Sequence, residues 1–188
     1  MSRPRSDEKR KAILDAATRV IVTQGLSAPT AGIAKEAGVA NGSLFTYFET
    51  KAELFNQLYL ELKADMANAA LTDLRPGVDP RQQLFQVWQR WMAWAMACPD
   101  KRRALAQLDV YGEITPETRA AGHRTMAAIA DLLEDIRTHG SMRKVPMGFV
   151  VALLNSIAEA TILAMAQDPA HARKRSNEGF DALWRAVA

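Results

Sequence analysis

The sequence predicts an all-α fold of about nine helices, on three observations. Apolar residues recur at spacings of three and four along most of the 188-residue chain. No segment alternates apolar and polar residues between turn signals, as a half-buried strand would. Glycines, prolines and Asp-Pro or Thr-Pro pairs punctuate the periodic stretches at intervals suited to helices.

Ser6 or Asp7 is placed to cap a first helix that carries Ile13, Leu14, Ala17, Val20 and Ile21 on one side, and Gly25 is its natural stop. A short helix is expected from about Thr30 to Ala37, a turn at Gly38 and Val39, and a second short helix from about Asn41 to Phe48. Thr50 and Glu53 have capping-box spacing and open a long helix to about Leu74, before Pro76 and Gly77. Asp79-Pro80, with Gln82 three residues after the cap, opens the next, which Cys98-Pro99-Asp100 breaks. Thr115-Pro116 opens a helix that runs to Gly140. Pro146 starts an apolar helix that Asp168-Pro169 ends, and a last helix aligns Phe180, Leu183, Trp184 and Val187.

At this length the core needs no staple, and the single cysteine, Cys98, cannot form an intramolecular disulfide, which fits a cytoplasmic protein. Met1 to Lys11 is charged and lacks the apolar run of a secretory signal. Val145 to Ala166 is mostly apolar and about as long as a bilayer span, but Asn155, Ser156, Glu159 and Thr161 interrupt it. A buried helix with one wet edge is the expectation, and no membrane association.

The net charge of +3 is unevenly placed. Residues 1–51 hold eight Lys/Arg against five Asp/Glu, whereas the remainder holds sixteen of each. The whole excess lies in the N-terminal quarter, which points to a polyanionic partner there.

The informative segment runs from Thr30 to Lys51. Two short helices keep a fixed crossing only if their inner surfaces are small and apolar. Ile33, Ala34 and Ala37 share one face of the first, Val39 lies in the turn, and Leu44 and Phe48 share one face of the second. Gly38 supplies the positive φ such a turn demands. Asn41, Gly42, Ser43, Phe45, Thr46 and Tyr47 are then left facing outward, where Asn and Ser suit base edges and phosphates.

The residues Ile33-Ala34, Ala37-Gly38-Val39, Gly42-Ser43-Leu44-Phe45, Tyr47-Phe48 and Lys51 resemble the DNA-binding motif of the TetR family of transcription regulators. The resemblance covers roughly residues 8–55. It implies a three-helix DNA-binding domain over residues 1–50 and a helical effector-binding and dimerisation domain over 51–188, joined by the helix 51–74. It also implies that Thr30, with Ala31 beside it, and Lys51 meet phosphate, that Asn41, Gly42 and Ser43 open the recognition helix in the major groove, and that Phe45, Thr46 and Tyr47 continue the contact. Two positions depart from the family pattern. Ala40 stands where Ser or Thr is frequent, so the recognition helix loses a side-chain cap that Asn41 would have to replace. Phe45 stands where Tyr is frequent, so a phenolic contact to phosphate is lost.

The resemblance further implies double-stranded DNA with a palindromic operator as partner, a homodimer, and a small-molecule effector that relieves repression. A three-helix reader touches few base pairs, so two copies one helical turn apart are needed for operator-grade selectivity. The helix after Pro80 is rich in large side chains, and Trp88, Trp91 and Met92, with Tyr111 and Met126 from elsewhere, are the candidates for a pocket taking an apolar or aromatic effector. Each Trp or Met taken singly is better explained by core packing. Leu154, Ala158, Thr161, Phe180, Leu183 and Trp184 are the candidates for the dimer interface.

His123, His139 and His171 are too scattered for a metal site, and the sequence offers no phosphate loop and no set of nucleophile, base and orienting group. Neither cofactor nor catalysis is expected. The competing classes are a helical carrier or interaction protein whose basic N-terminal segment binds another protein, and, with less support, an enzyme. Activation in place of repression is compatible with the same residues.

Overall fold

A computed structural model describes residues 3–72 and 79–188, with side chains from residue 7 onward. Among these residues there are ten α-helices, one short 3-10 turn and no strand. The expected fold class holds, with one more helix than the sequence suggests. The stretch from Pro116 to Gly140 is two helices, α7 (Pro116–Arg124) and α8 (Ala127–His139), with a turn at Thr125 and Met126.

The helices pack as two compact units, residues 1–65 with 98–124, and residues 66–97 with 125–188. Packing therefore follows a different line from the functional division expected at residue 50. The chain passes from the first unit to the second at the α7–α8 turn, and also within α4 between Asp65 and Met66.

The first unit holds α1 (Arg3–Gln24), α2 (Thr30–Glu36), α3 (Asn41–Tyr47), the first part of α4 (Lys51–Leu71), α6 (Pro99–Asp109) and α7. α1 starts ahead of the expected Ser6–Asp7 cap. Pro4 lies in its first turn, where a missing N–H costs the helix nothing. α1 packs on α2 and α6, and Ile13, Leu14, Ala17 and Ile21 are at most 1% exposed. Gly25, at φ +80°, stops it as expected. α4 ends at Leu71, and Pro76 and Gly77 lie outside the described residues.

The start of α4 is tied to the α6–α7 link by Asn56. Its Nδ2 donates to Glu113 O at 2.9 Å and its Oδ1 accepts from Thr115 N at 3.0 Å. Phe55 meets the Tyr111 ring edge-on at 5.8 Å, and Lys63 pairs with Asp109 at 3.0 Å. Gly122 lets α7 approach α4, since a Cβ there would lie 2.7 Å from the Tyr59 ring.

The second unit holds the end of α4, α5 (Pro80–Ala97), α8, α9 (Met147–Gln167) and α10 (Ala172–Val187). Asp79 caps α5 as expected, its Oδ2 accepting from Gln82 N at 3.1 Å. α9 and α10 make the broadest contact, and α5 packs on α8, α9 and α10. Trp88 is fully buried and donates its indole N–H to Ser176 O at 2.9 Å, which satisfies the one polar atom it carries into the core.

The expectation of α9 as a buried helix with one wet edge is corrected. Its apolar stretch has mean hydropathy 1.9, yet only 33% of it is buried within the chain. Val150, Leu154, Ala158, Thr161, Ile162 and Met165 form a single inward stripe. Phe149, Ala152, Ser156, Ala160 and Leu163, three and four apart on the opposite side, are all exposed.

Candidate nucleic-acid interface

The turn between α2 and α3 is built by backbone geometry alone. α2 ends in a Schellman motif: Val39 N donates to Ala34 O at 3.0 Å and Gly38 N to Lys35 O at 3.1 Å, with Gly38 at φ +68°. A residue with a Cβ would be strained at Gly38, so the crossing of the two helices depends on that glycine. The inner surfaces close as the spacing predicts. Ile33, Leu44 and Phe48 are 0% exposed and Ala34 is 1%, while Ala37 and Val39 are half-buried at the rim.

α3 begins at Asn41 after Ala40, whose extended backbone (φ −65°, ψ 144°) has no side chain to cap the helix. Asn41 does not take over that role. Asn41, Gly42, Ser43 and Thr46 are exposed, and neither Asn41 nor Ser43 is engaged by another side chain among the described residues. Hydrogen-bonding groups are thus left facing outward on a helix seated by Leu44 and Phe48, an arrangement able to meet base edges and phosphates.

Phe48 turns the chain into extended backbone (φ −140°, ψ 112°), after which Thr50 caps α4. Thr50 Oγ1 accepts from Glu53 N at 3.0 Å, as the capping box requires. The return bond is displaced by one residue, since Glu53 Oε2 accepts from Glu49 N at 2.7 Å. Lys51 is half-buried with its Nζ 5.3 Å above the Phe55 ring, so its charge is held at the start of α4. On α2, Thr30 is half-buried and Ala31 exposed, and Tyr47 is half-buried at the end of α3. All nine candidate residues from Thr30 to Lys51 belong to the first unit. Arg10, absent from the sequence-based candidates, supports the frame from α1: its guanidinium lies 5.6 Å over Phe48 and donates to Gln57 Oε1 at 2.6 Å.

The candidates for an effector pocket divide between the two units. Trp88, Trp91, Met92 and Met126 belong to the second unit, with Trp88 and Met92 1% exposed and Trp91 and Met126 half-buried. Trp91 meets Trp88 edge-on at 6.2 Å. Tyr111 belongs to the first unit, where it packs on Phe55. Two open grooves lie elsewhere in the second unit. One, of about 260 Å³, is lined by Arg81, Gln82, Phe85, Asn177, Phe180 and Asp181. The other, of about 410 Å³, lies between Asp79, Asp135, His139 and Trp184.

The candidate dimer residues need correction. Leu154, Ala158, Thr161, Phe180 and Leu183 are at most 7% exposed within the single chain, where they form the contact of α9 with α10. Trp184 is half-buried, stacked near Phe180 at 6.5 Å with the Arg81 guanidinium 5.8 Å from its ring. Side chains already buried in their own protomer are not available to a partner. The outward face of α10 bears Arg173, Lys174, Asn177, Glu178, Asp181 and Arg185, so the open apolar surface lies on α9.

Comparison with known proteins agrees with the motif. The family model for bacterial regulatory proteins of the tetR family matches residues 13–58, which span the end of α1 through the first turns of α4. The HTH-type transcriptional regulator YhgD of Bacillus subtilis (strain 168) is 34% identical over 74 residues, 39% of this chain and 39% of that protein. The matched stretch thus spans well under half of that relative's length. Two solved structures are similar over nearly the whole chain. A tetR family transcription regulator from Shewanella sp. PV-4 superposes with TM-score 0.85 at 28% identity, over 96% of this chain and 98% of that one. One from Marinobacter aquaeolei VT8 superposes with TM-score 0.83 at 25% identity, over 99% and 98%. These relatives are transcription regulators. The chain thus carries an N-terminal helix-turn-helix that matches the tetR family model, and it shares a whole-chain fold with solved regulators of that family.

Proposed function

We propose that the protein is a homodimeric repressor that binds a palindromic operator through α3 and is released by a small apolar or aromatic effector, acting in the cytoplasm. The observation that carries the DNA-reading part is the division of α3 into a sealed inner side and an exposed outer side, on which the Asn41 and Ser43 side chains have no hydrogen-bond partner among the described residues. In this reading residues 1–50 read DNA, with Thr30, Ala31, Asn41, Gly42, Ser43, Phe45, Thr46, Tyr47 and Lys51 at the interface. Residues 51–188 bind the effector and dimerise, and α4 joins the two functions.

Dimerisation is assigned to the outward stripe of α9. Ala152, Ser156 and Ala160 are small enough for close helix approach, and Phe149 and Leu163, each 59% exposed, supply bulk at its two ends. Ser156 turns its hydroxyl back to Ala152 O at 2.9 Å, so it carries no unsatisfied polar group into the contact. The effector is assigned to the second unit, with the half-buried Trp91, in edge contact with Trp88, and Met126 of the same unit as its candidate contacts.

The test is a gel shift with a duplex enriched from random DNA, repeated across salt concentrations. Phosphate neutralisation predicts affinity that falls steeply and log-linearly with salt. Salt-insensitive binding, or no preference for the enriched duplex over random DNA, would favour the interaction-protein class.

A further inference from the structure

The outer side of α3 is not uniformly polar. Its first turn carries Asn41 and Ser43, whereas its second turn carries Phe45, 42% exposed, while the adjacent Leu44 is 0% exposed. Among the described residues no other aromatic ring or cation lies against Phe45. Beside it, Thr46 is exposed, its hydroxyl turned back toward Gly42 O at 3.5 Å and its γ-methyl the apolar part of the side chain. Asn41 and Phe45 are four residues apart and share one strip of the helix, with Gly42 and Thr46 on the next. The second turn therefore presents a contiguous apolar surface on the side assigned above to DNA.

A phenyl ring and a methyl group cannot hydrogen-bond a phosphate or a base edge. Within the major groove the apolar group that a base edge offers is the C5-methyl of thymine. We infer that Phe45, with the Thr46 methyl beside it, is a specificity-determining residue that selects thymine at one position of each half-site by packing on that methyl. The polar first turn and the apolar second turn of α3 then read different features of neighbouring base pairs. This assignment rests on α3 being the recognition helix.

Replacing thymine by deoxyuridine removes the methyl and leaves every hydrogen-bonding group of the base pair in place. In the duplex enriched by the full-length protein, each thymine is replaced singly, and affinity is measured for the native protein, Phe45→Ala and Phe45→Leu. One position per half-site should show a loss of about 10-fold with the native protein, the lower end of what one methyl group is worth in an apolar contact. Phe45→Ala should bind the thymine and deoxyuridine duplexes within about 2-fold of each other, while Phe45→Leu, which keeps apolar bulk, should retain most of the discrimination. All three proteins should melt alike, because the ring is outside the core. The inference is overturned if no deoxyuridine substitution weakens binding, or if the native protein and Phe45→Ala lose equally at that position. It is also overturned if Phe45→Ala weakens binding to all duplexes uniformly, which would place the ring against the sugar-phosphate backbone. Failure of the native protein to enrich any duplex would instead remove the recognition helix itself, and the inference with it.

Discussion

Gly179 of α10 faces Thr161 of α9 so closely that a Cβ on the glycine would lie 2.1 Å from the threonine Oγ1 and 2.8 Å from its Cγ2. The absent side chain sets the separation of the two helices that form the broadest contact of the second unit. Thr161 cannot simply rotate away, because its Oγ1 donates to Ile157 O at 2.7 Å and the residue is 5% exposed. Gly179→Ala should therefore destabilise the protein by about 1–3 kcal/mol despite the better helix propensity of alanine, as overpacking does in a close-packed core. Adding Thr161→Ala should recover part of the loss. Thermal melting of the two single variants and the double variant measures this, and strictly additive losses would show that the pair does not clash.

Asn41→Ala and Ser43→Ala should weaken binding to an enriched duplex by about 10-fold or more each, at roughly 1–3 kcal/mol per lost base contact, with little change in melting temperature. Both side chains are exposed and unengaged, so the fold does not depend on them. Comparison with random DNA gives the role. Equal losses on both duplexes would mean that these residues only hold phosphate.

The reader was legible in the sequence because its determinants are local. Gly38 at the turn, the spacing from Ile33 to Phe48 and the capping pair Thr50 and Glu53 each act within a few residues of chain. What stayed hidden depends on which faces meet across long separations. Asn56 is joined to Glu113 and Thr115, fifty-seven and fifty-nine residues away, and nothing in its own neighbourhood marks it. α9 shows the same limit in another form. Apolar residues occupy most of its circumference, so periodicity does not say which stripe is core and which is open, and Leu154 and Ala158, candidates for the dimer face, lie on the stripe buried within the single chain. Gly179 and Gly122 look like ordinary helix-weakening glycines until their partners across the core are known.

Leu154 and Leu163 lie on opposite sides of α9, 7% and 59% exposed, and glutamate at the two positions should have different consequences. Leu154→Glu places a charge in the α9–α10 core and should yield unfolded or aggregated protein. Leu163→Glu places it on the proposed dimer face and should yield a folded monomer with weakened operator binding. Light scattering with circular dichroism separates these outcomes. A Leu163→Glu protein that remains a dimer would exclude this stripe as the interface.

Tyr59 is fully buried among α4 and α7, and its phenol is held above the usual value near 10, first by burial and then by the Asp109 carboxylate. A folded-state pKa above the unfolded value means that the associated stability is fully present below about pH 10 and is lost as pH rises through the folded value. The native protein should therefore lose melting temperature more steeply than Tyr59→Phe between about pH 9 and about pH 11. Parallel curves would show that the phenol ionises as easily in the folded protein as in the unfolded chain.

An apolar or aromatic ligand that binds beside Trp91 and Met126 should quench or shift tryptophan fluorescence and weaken operator binding in the same concentration range. Trp91 is half-buried and in edge contact with Trp88, so it is placed to report a molecule entering from the surface, while Trp88 is committed to Ser176 O. Binding alone is not enough for release. A ligand with equal affinity for the DNA-bound and released conformations shifts nothing, whereas a preference of about 100-fold, about 2.7 kcal/mol, lowers operator affinity by the same factor. α4 belongs to the first unit up to Asp65 and to the second from Met66, so it is the continuous helix through which that preference can reach α3. A fluorescence screen paired with gel shifts tests both steps on the intact protein. A molecule shown by Trp91→Phe to bind at this place, yet without effect on the operator complex at saturation, would show that the region is a binding site uncoupled from DNA.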